Sequence, residues 1–256
     1  MCYLSRQTIC VTAWTAALLT LALASCAPDE KPSFDDVYWL MDHGAESWDT
    51  VALTFEGQFA NASDGTNYRR YGQVWIDAPC KARSMSGPDS SSPDMVYFQN
   101  GQDVVLLGED IASADQHLSM ACPNPNASDS DLAGLLLITE TAGLFDFTLT
   151  SGVDLNTDIA PVQVSIAGRR ALEFVGESQV IVDSRVEDRS IVFDVDAETG
   201  VILWWRTYRE GAKDVPFEEL KVTAISYGAT LPSEMFDLMS VSRDLADYRF
   251  VDSVTP

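Results

Sequence analysis

Two segments with strict alternation, at 190–195 and 201–208, place the strongest constraint on the fold of this chain. Apolar side chains stand at every second position in both: Ile191, Phe193 and Val195, then Val201, Leu203 and Trp205. This period is typical of half-buried antiparallel strands. Between them, Asp196 can accept hydrogen bonds from turn amides, and Gly200 can take the positive φ that a loop of about three to five residues needs. The stretch predicts a β-hairpin.

Similar patterns predict strands along most of the remaining chain. These strands cover 51–59, 68–77, 95–98, 103–107, 147–149, 162–166, 170–175, 179–183 and 217–226. Asn100 and Gly101 predict a tight turn between two of them. The Ser- and Pro-rich run 84–93 predicts a loop.

Helical signals are fewer and shorter than the strand signals. Three segments predict helices: 34–45, 111–121 and 129–142. The last is apolar on more than one face, which fits either a buried core helix or a helix that closes over an apolar cavity. After Pro232, a short helical turn is expected to pack Met235 and Phe236 back on the sheet. This order predicts an α+β, mainly β architecture with one large curved sheet.

Residues 1–25 are typical of a secretory signal. Arg6 precedes an apolar run at 11–23, which is shorter than the roughly twenty residues that span a bilayer as a helix. The motif Leu23-Ala24-Ser25-Cys26 resembles a bacterial lipobox, in which the signal is cut before cysteine and the thiol receives diacylglycerol. The alternative is a standard signal peptide followed by an accidental cysteine.

A lipid on Cys26 determines where the protein is expected to reside. Each buried methylene contributes about 0.8 kcal/mol, so a diacylglyceryl thioether is an essentially permanent anchor. Residues 26–33 are then the lipidated cysteine and a polar linker, and 34–256 is a single domain. We expect an extracytoplasmic protein that is lipid-anchored to the cell envelope, at the outer or the cytoplasmic membrane depending on the host.

The charge of the chain restricts its partners. The formal net charge is −23, and loss of the signal, whose single charge is on Arg6, leaves −24. Nucleic acids and anionic headgroups are bound through clustered Lys and Arg, which such a chain lacks. We therefore expect no nucleic-acid partner.

Cysteine usage predicts one disulfide. Cys2 and Cys10 leave with the signal, Cys26 is the lipidation site, and only Cys80 and Cys122 remain. In an exported protein such a pair is most economically a disulfide, the alternatives being two buried thiols or a metal pair. The two histidines of the chain lack ligand spacing to either cysteine, which argues against metal. No metal and no cofactor are predicted.

Four motifs resemble those of the periplasmic lipoprotein-carrier (LolA/LolB-like) superfamily. They are Gly-Gln-Val-Trp-Ile-Asp-Ala-Pro at 72–79, Asn-Gly-Gln-Asp-Val-Val at 100–105, Phe-Asp-Val-Asp-Ala-Glu-Thr-Gly at 193–200 and Leu-Pro-Ser-Glu-Met-Phe at 231–236. The superfamily includes mycobacterial lipid-binding lipoproteins and the amino-terminal domain of periplasmic anti-sigma-factor regulators. The resemblance implies an unclosed antiparallel β-barrel whose concave face is capped by short helices and holds acyl chains.

If the sheet encloses the cavity that the resemblance implies, apolar side chains from the predicted strands and the central helix line it. We expect them to be Leu53, Phe55, Phe59, Leu136, Phe193 and Leu203. Alternation alone fits a packed core equally well. The resulting hypothesis is a membrane-anchored lipoprotein that binds a lipid or an acylated protein. The alternative is an envelope sensor or a partner-binding or structural lipoprotein without a lipid cavity, and the protein partner is unknown.

An enzyme is not predicted. The chain has no Gly-x-Ser-x-Gly motif, and two histidines leave little material for a nucleophile–base pair. Asp194 and Asp196 carry no catalytic signal in a chain this acidic, and we expect them to be solvated turn residues.

Overall fold

The computed structural model describes residues 48–60, 67–77, 81–108, 111–117, 153–182, 185–209 and 215–252. In these ranges twelve strands form a single sheet in which every pairing is antiparallel. The strands are β1 Thr50–Ala60, β2 Asn67–Asp77, β3 Lys81–Gly87, β4 Met95–Asn100, β5 Asp103–Gly108, β6 Ile111–His117, β7 Val153–Leu155, β8 Val162–Ile166, β9 Arg169–Val182, β10 Arg185–Asp196, β11 Ile202–Arg209 and β12 Glu218–Tyr227.

The sheet is open, as predicted. Its strand order is β6-β5-β4-β3-β2-β1-β12-β11-β10-β9-β7, with β8 also paired to β9. The two end strands, β6 and β7, are not paired with each other in the described part of the chain. β1 and β12 lie side by side at the centre and join two groups of consecutive hairpins. The mainly β, unclosed architecture is thereby confirmed, whereas the predicted helices 34–45 and 129–142 lie outside the described residues.

Most strand predictions are confirmed within a few residues, the strand predicted at 147–149 lies outside the described residues, and two segments were assigned wrongly. The predicted loop at 84–93 begins only at Pro88, because 84–87 completes β3 and buries Met85 between β2 and β4. The predicted helix at 111–121 is instead strand β6 over 111–117, since pairing with β5 satisfies its backbone. The strands predicted at 170–175 and 179–183 are parts of the single strand β9.

The turn at 196–200 follows the predicted chemistry. Gly200 has a φ of 73°, and its amide donates to the Asp196 carbonyl at 2.9 Å. The Glu198 amide donates to the Asp196 carboxylate at 2.9 Å. In the β4–β5 hairpin the turn is one residue later than predicted. Gly101, with a φ of 66°, and Gln102 form it, because Asn100 is the last residue of β4 and pairs with Asp103.

The two faces of the sheet have different coverings. One face carries Val51, Leu53 and Phe55, and its side chains join those of β2–β5 and β8–β12 in one hydrophobic cluster. We call it the apolar face. On the other face, a second cluster forms where the C-terminal strap, residues 229–252, covers β1–β5.

The strap is held by both packing and hydrogen bonds. A 3-10 turn at Ser233–Phe236 buries Phe236 completely, and Met235 packs beside it, as predicted. The amide of the buried Gln73 side chain donates to the Val251 carbonyl at 2.7 Å and accepts from the Val251 amide at 3.0 Å. The second 3-10 turn is Leu245–Asp247.

Candidate functional site

The apolar face unites five of the six residues predicted to line a cavity. Leu53, Phe55, Phe193 and Leu203 are between 0 and 3% exposed, and the half-buried Phe59 packs against the same cluster. They share a face because residues two apart on a strand point to the same side. The sixth, Leu136, lies outside the described residues. Burial to this degree is compatible with a packed core as well as with a ligand site, so the cavity itself stays a prediction.

Burial on this face decreases toward one end, which we call the aromatic rim. There the Phe59 ring stacks on Tyr68 with centroids 5.7 Å apart and meets the Trp205 ring edge-on at 6.1 Å. Tyr68 is 43% exposed, and Phe59 and Trp205 are half-buried. The apolar face therefore runs from a closed interior to aromatic side chains that solvent reaches.

A row of four charged side chains and one tryptophan crosses the other face, beyond the C-terminal strap. Cross-strand pairing aligns Glu173, Asp194, Trp204, Lys221 and Glu56 on five neighbouring strands. We call this set the charged row. Alternation along β10 and β11 places it on the side of the sheet opposite to Phe193 and Trp205.

Arg206 holds the charged row together. One guanidinium nitrogen donates to Asp194 at 2.8 Å and to Glu173 at 2.9 Å. The guanidinium lies 3.9 Å from the centroid of Trp204, and the ammonium of Lys221 lies 4.2 Å from it. The arrangement buries a carboxylate by supplying it with a charged donor, which is the condition for burying such a group.

The expectation that Asp194 and Asp196 are solvated is wrong. Asp194 is 1% exposed and Asp196 is fully buried. Each is buried because an arginine from another part of the sheet donates to it, Arg206 to Asp194 and Arg169 to Asp196. In the sequence, the position of each carboxylate beside alternating apolar residues was the only indication of burial. The arginines that pair with them are distant in the sequence, so the pairing could not be predicted.

Burial raises the pKa of Asp194 to about 6, with Arg206 acting to lower it and Glu173 to raise it further. An unfolded Asp titrates near 3.9. The folded state therefore binds more protons than the unfolded state between about pH 4 and pH 6. Because stability falls with rising pH wherever the native state holds the extra proton, this group destabilises the fold as pH rises through that window.

Asp194→Asn is expected to remove this contribution. The free energy of unfolding of the variant, minus that of the parent, should be larger at pH 7 than at pH 4. The increase should be on the order of 2 to 3 kcal/mol, which is the free energy that corresponds to the raised pKa of Asp194. Urea unfolding at several pH values measures it, and carboxyl NMR titration locates the pKa directly. Parallel pH profiles for the two proteins would contradict the prediction.

A cavity of about 410 Å³ adjoins the charged row. Its lining includes Glu56, Gln58, Arg69, Tyr71, Glu219 and Lys221. Three acidic and three basic side chains contribute to it in total, so its charge favours neither an anion nor a cation. It is a polar recess between the charged row and the loop at 88–90, whose residues also line it.

Metal-binding and membrane-spanning features can be assessed only for the described ranges. Within them, no group of three or more His, Cys, Asp and Glu side chains is placed to hold a metal ion. No helix in the described part of the chain is long and apolar enough to cross a bilayer. Cys26, Cys80 and Cys122 lie outside these ranges, so lipidation and the disulfide stay predictions.

The fold belongs to the class of open antiparallel sheets with one apolar face. No protein-family model and no curated protein matches the sequence. Among solved structures, the chain is similar to a chain of the MucA/MucB complex of Pseudomonas aeruginosa, at 16% identity and a TM-score of 0.45 over 79% of this chain. It spans only 60% of that chain.

Two further solved structures are similar over nearly their whole length. LprF from Mycobacterium bovis is 10% identical with a TM-score of 0.39, over 79% of this chain and 97% of its own. The LolA-superfamily protein NE2245 from Nitrosomonas europaea is 11% identical with a TM-score of 0.34, over 82% of this chain and 100% of its own. These matches have identities of 10 to 16% and TM-scores below 0.5, so membership of the lipoprotein-carrier superfamily stays a prediction.

Proposed function

We propose that this protein is an envelope lipoprotein, anchored through Cys26, that binds a hydrophobic, acylated ligand on its apolar face. The observation that carries the proposal is the gradient of burial on this face, from fully buried Leu53 and Leu203 to the solvent-reached aromatic rim. A binding site for an acyl chain needs apolar side chains in its interior and one end that is accessible from solvent. The role is binding, not catalysis.

The energetics favour a ligand with long hydrocarbon chains. Each methylene removed from water contributes about 0.8 kcal/mol, so ten of them outweigh the several kcal/mol that association costs. The aromatic rim provides Phe59 and Trp205 as the first apolar contacts at its solvent-reached end. The buried residues behind them provide the remaining contact surface.

Native mass spectrometry tests the ligand proposal. The full chain, exported from a bacterial host and carrying Cys26→Ser so that no lipid is attached covalently, is expected to retain host lipid. After delipidation it should rebind added phospholipid. Phe59→Glu places a charge on the aromatic rim and should lower lipid occupancy about ten-fold, because burying the unpaired carboxylate is costly.

A matched charge on the C-terminal strap, which covers the other face, controls for nonspecific effects. Met239 is 94% exposed there, so Met239→Glu should leave lipid occupancy unchanged. Both variants are checked for folding by circular dichroism. Absence of retained or exchangeable lipid in the folded parent would overturn the proposal and leave the sensor or structural alternative standing.

The anchor is tested separately. The parent is expected to incorporate radiolabelled palmitate and to partition as an integral membrane protein, because a diacylglyceryl group holds a protein in the bilayer essentially permanently. Cys26→Ser should lose both properties, whereas Cys80→Ser should keep them. A Cys26→Ser protein that still partitions as an integral species would refute the anchor.

A further inference from the structure

Strand β11 directs two polar side chains into the apolar face. Trp205 and Thr207 are two residues apart and therefore point to the same side of the sheet. Phe193 lies opposite Trp205, and Ile191 lies opposite Thr207. Both neighbours belong to the hydrophobic cluster or pack against it. The indole N–H of Trp205 and the hydroxyl of Thr207 are thus placed in apolar surroundings at the aromatic rim.

Neither polar atom has a hydrogen-bond partner among the residues that the structure describes. The Trp205 Nε1 and the Thr207 Oγ1 are both buried and unpaired. Thr207 as a whole is only 7% exposed. Buried polar groups without a partner are rare in native proteins and lower stability, so two of them on the same side of one strand, two residues apart, require an explanation.

The adjacent charged residues do not supply the missing acceptor. Glu218 lies opposite Thr207, but its carboxylate is held by Arg189 at 3.5 Å. Arg189 in turn stacks over Phe217, with 4.8 Å between the guanidinium carbon and the ring centroid. The Arg189–Glu218 ion pair therefore occupies this end of β10–β12. The two unpaired donors, on Trp205 and Thr207, lie between that ion pair and the apolar interior.

We infer that Trp205 and Thr207 form a polar subsite that binds a carbonyl oxygen of an acyl ester or amide. An indole N–H can only donate and a hydroxyl can donate, so both suit an oxygen acceptor. The acceptor is neutral, because the unpaired donors carry no charge to offset a buried anion. In an acylated ligand the carbonyl lies between the hydrocarbon chain and the head, as the two donors lie between the apolar interior and the Arg189–Glu218 ion pair.

This inference rests on the proposed function and specifies it further. A carbonyl next to an acyl chain occurs both in glycerolipids and in the acyl groups of lipoproteins. The two sources present the same chemistry to Trp205 and Thr207. They differ in the head that follows, which is a phosphodiester in one and a peptide in the other.

The test compares an ester-linked ligand with its ether-linked analogue. The probes are a short-chain diacyl phosphatidylcholine below its micellar concentration and the dialkyl ether of equal chain length, which lacks both carbonyls. We expect the Cys26→Ser full chain to bind the ester about ten-fold more tightly, which corresponds to one to two hydrogen bonds. A synthetic diacylglyceryl-cysteine peptide and its ether form, measured alongside, show which source is preferred.

Variants assign the preference to the two side chains. Trp205→Phe and Thr207→Val should each reduce the ester preference to about three-fold or less, and Thr207→Val should keep the ether affinity constant within about two-fold. Trp204→Phe and Thr223→Val are the controls: Trp204 contacts Arg206 and Lys221 on the other side of β11, and the Thr223 hydroxyl already donates to the Thr54 carbonyl. Both should retain the full preference.

The outcomes separate the two proposals. Equal binding of ester and ether overturns the subsite and leaves the proposed function intact. An ester preference that persists in both Trp205→Phe and Thr207→Val also overturns the subsite. Failure of the folded chain to bind any of the four probes overturns both. In addition, Thr207→Val should not lower the melting temperature of the ligand-free protein, since no hydrogen bond is lost there.

Discussion

Asp196→Ala is expected to lower the free energy of unfolding by about 3 kcal/mol, because it removes the acceptor at the centre of a buried polar cluster. Arg169 donates to both carboxylate oxygens, at 2.8 and 3.3 Å. The Tyr227 hydroxyl donates at 3.3 Å and the Glu198 amide at 2.9 Å. Without the carboxylate, these donors lose their acceptor in a site that water reaches poorly.

The expected loss lies at the low end for a broken buried pair, which costs about 3 to 5 kcal/mol. The Arg169 side chain is 28% exposed, so its guanidinium regains some water after the substitution. The hydrogen bonds to Asp196 raise the pKa of Arg169, which keeps the arginine charged throughout the accessible pH range. The effect should therefore be present from neutral to alkaline pH.

Urea unfolding of Asp196→Ala and of a matched control measures the loss. Glu198 is the second carboxylate on Arg169, at 2.8 Å, but it is 64% exposed. Glu198→Ala should cost no more than about 0.5 to 1 kcal/mol, as is usual for exposed ion pairs. Equal losses in the two variants would show that burial of Asp196 is not the source of its contribution.

The Asp196 cluster shows which part of the fold the sequence predicts. The turn at 196–200 could be derived from Asp and Gly chemistry because its hydrogen bonds are local. Arg169 and Tyr227 stand 27 and 31 positions away from Asp196. They converge only because the β8–β9 turn meets the β10–β11 turn, where the Ala197 amide donates to the Arg170 carbonyl at 3.0 Å.

The same distinction applies to the candidate site. Alternation was sufficient to place Leu53, Phe55 and Leu203 on one face, because side-chain direction in a strand depends only on its period. It also gives Trp205 and Thr207 the same direction. It does not reveal that their polar atoms are unpaired, since that depends on which groups β10 and β12 bring beside them.

Strand β6 illustrates the remaining limit. The segment 111–117 contains no apolar alternation of the kind that defines β1, and its strand conformation comes from pairing with β5. Tertiary pairing of this kind overrides local propensity. The charged row has the same origin, because Glu173, Asp194 and Lys221 become neighbours through register alone.

Gly72→Ala is expected to destabilise the protein by about 2 to 3 kcal/mol through overpacking. Gly72 lies opposite Phe55 in the β1–β2 register. A Cβ at position 72 would overlap the Phe55 ring, with Cε1 and Cζ as its nearest neighbours. Phe55 is 1% exposed, so the ring cannot move aside without displacing other side chains of the apolar face. The free energy of unfolding in urea measures the effect.

A second glycine provides a control with similar local geometry but less burial. A Cβ at Gly57 would meet the Phe59 ring at 2.6 Å, yet Phe59 is only half-buried and can turn outward at the aromatic rim. Gly57→Ala should therefore cost less, about 1 kcal/mol. If both substitutions cost the same, the confinement of Phe55 is not the reason for the loss at Gly72.

A double-mutant cycle with Phe55→Leu isolates the steric contact. Phe55→Leu alone should destabilise by about 1 to 2 kcal/mol through the space it leaves. In the Phe55→Leu background, the smaller side chain gives the added methyl group room, so Gly72→Ala should cost less than in the parent. A coupling energy of about 1 kcal/mol or more is expected for residues in such contact. Additive losses would mean that Gly72 is required for its backbone and not for the space that it leaves to Phe55.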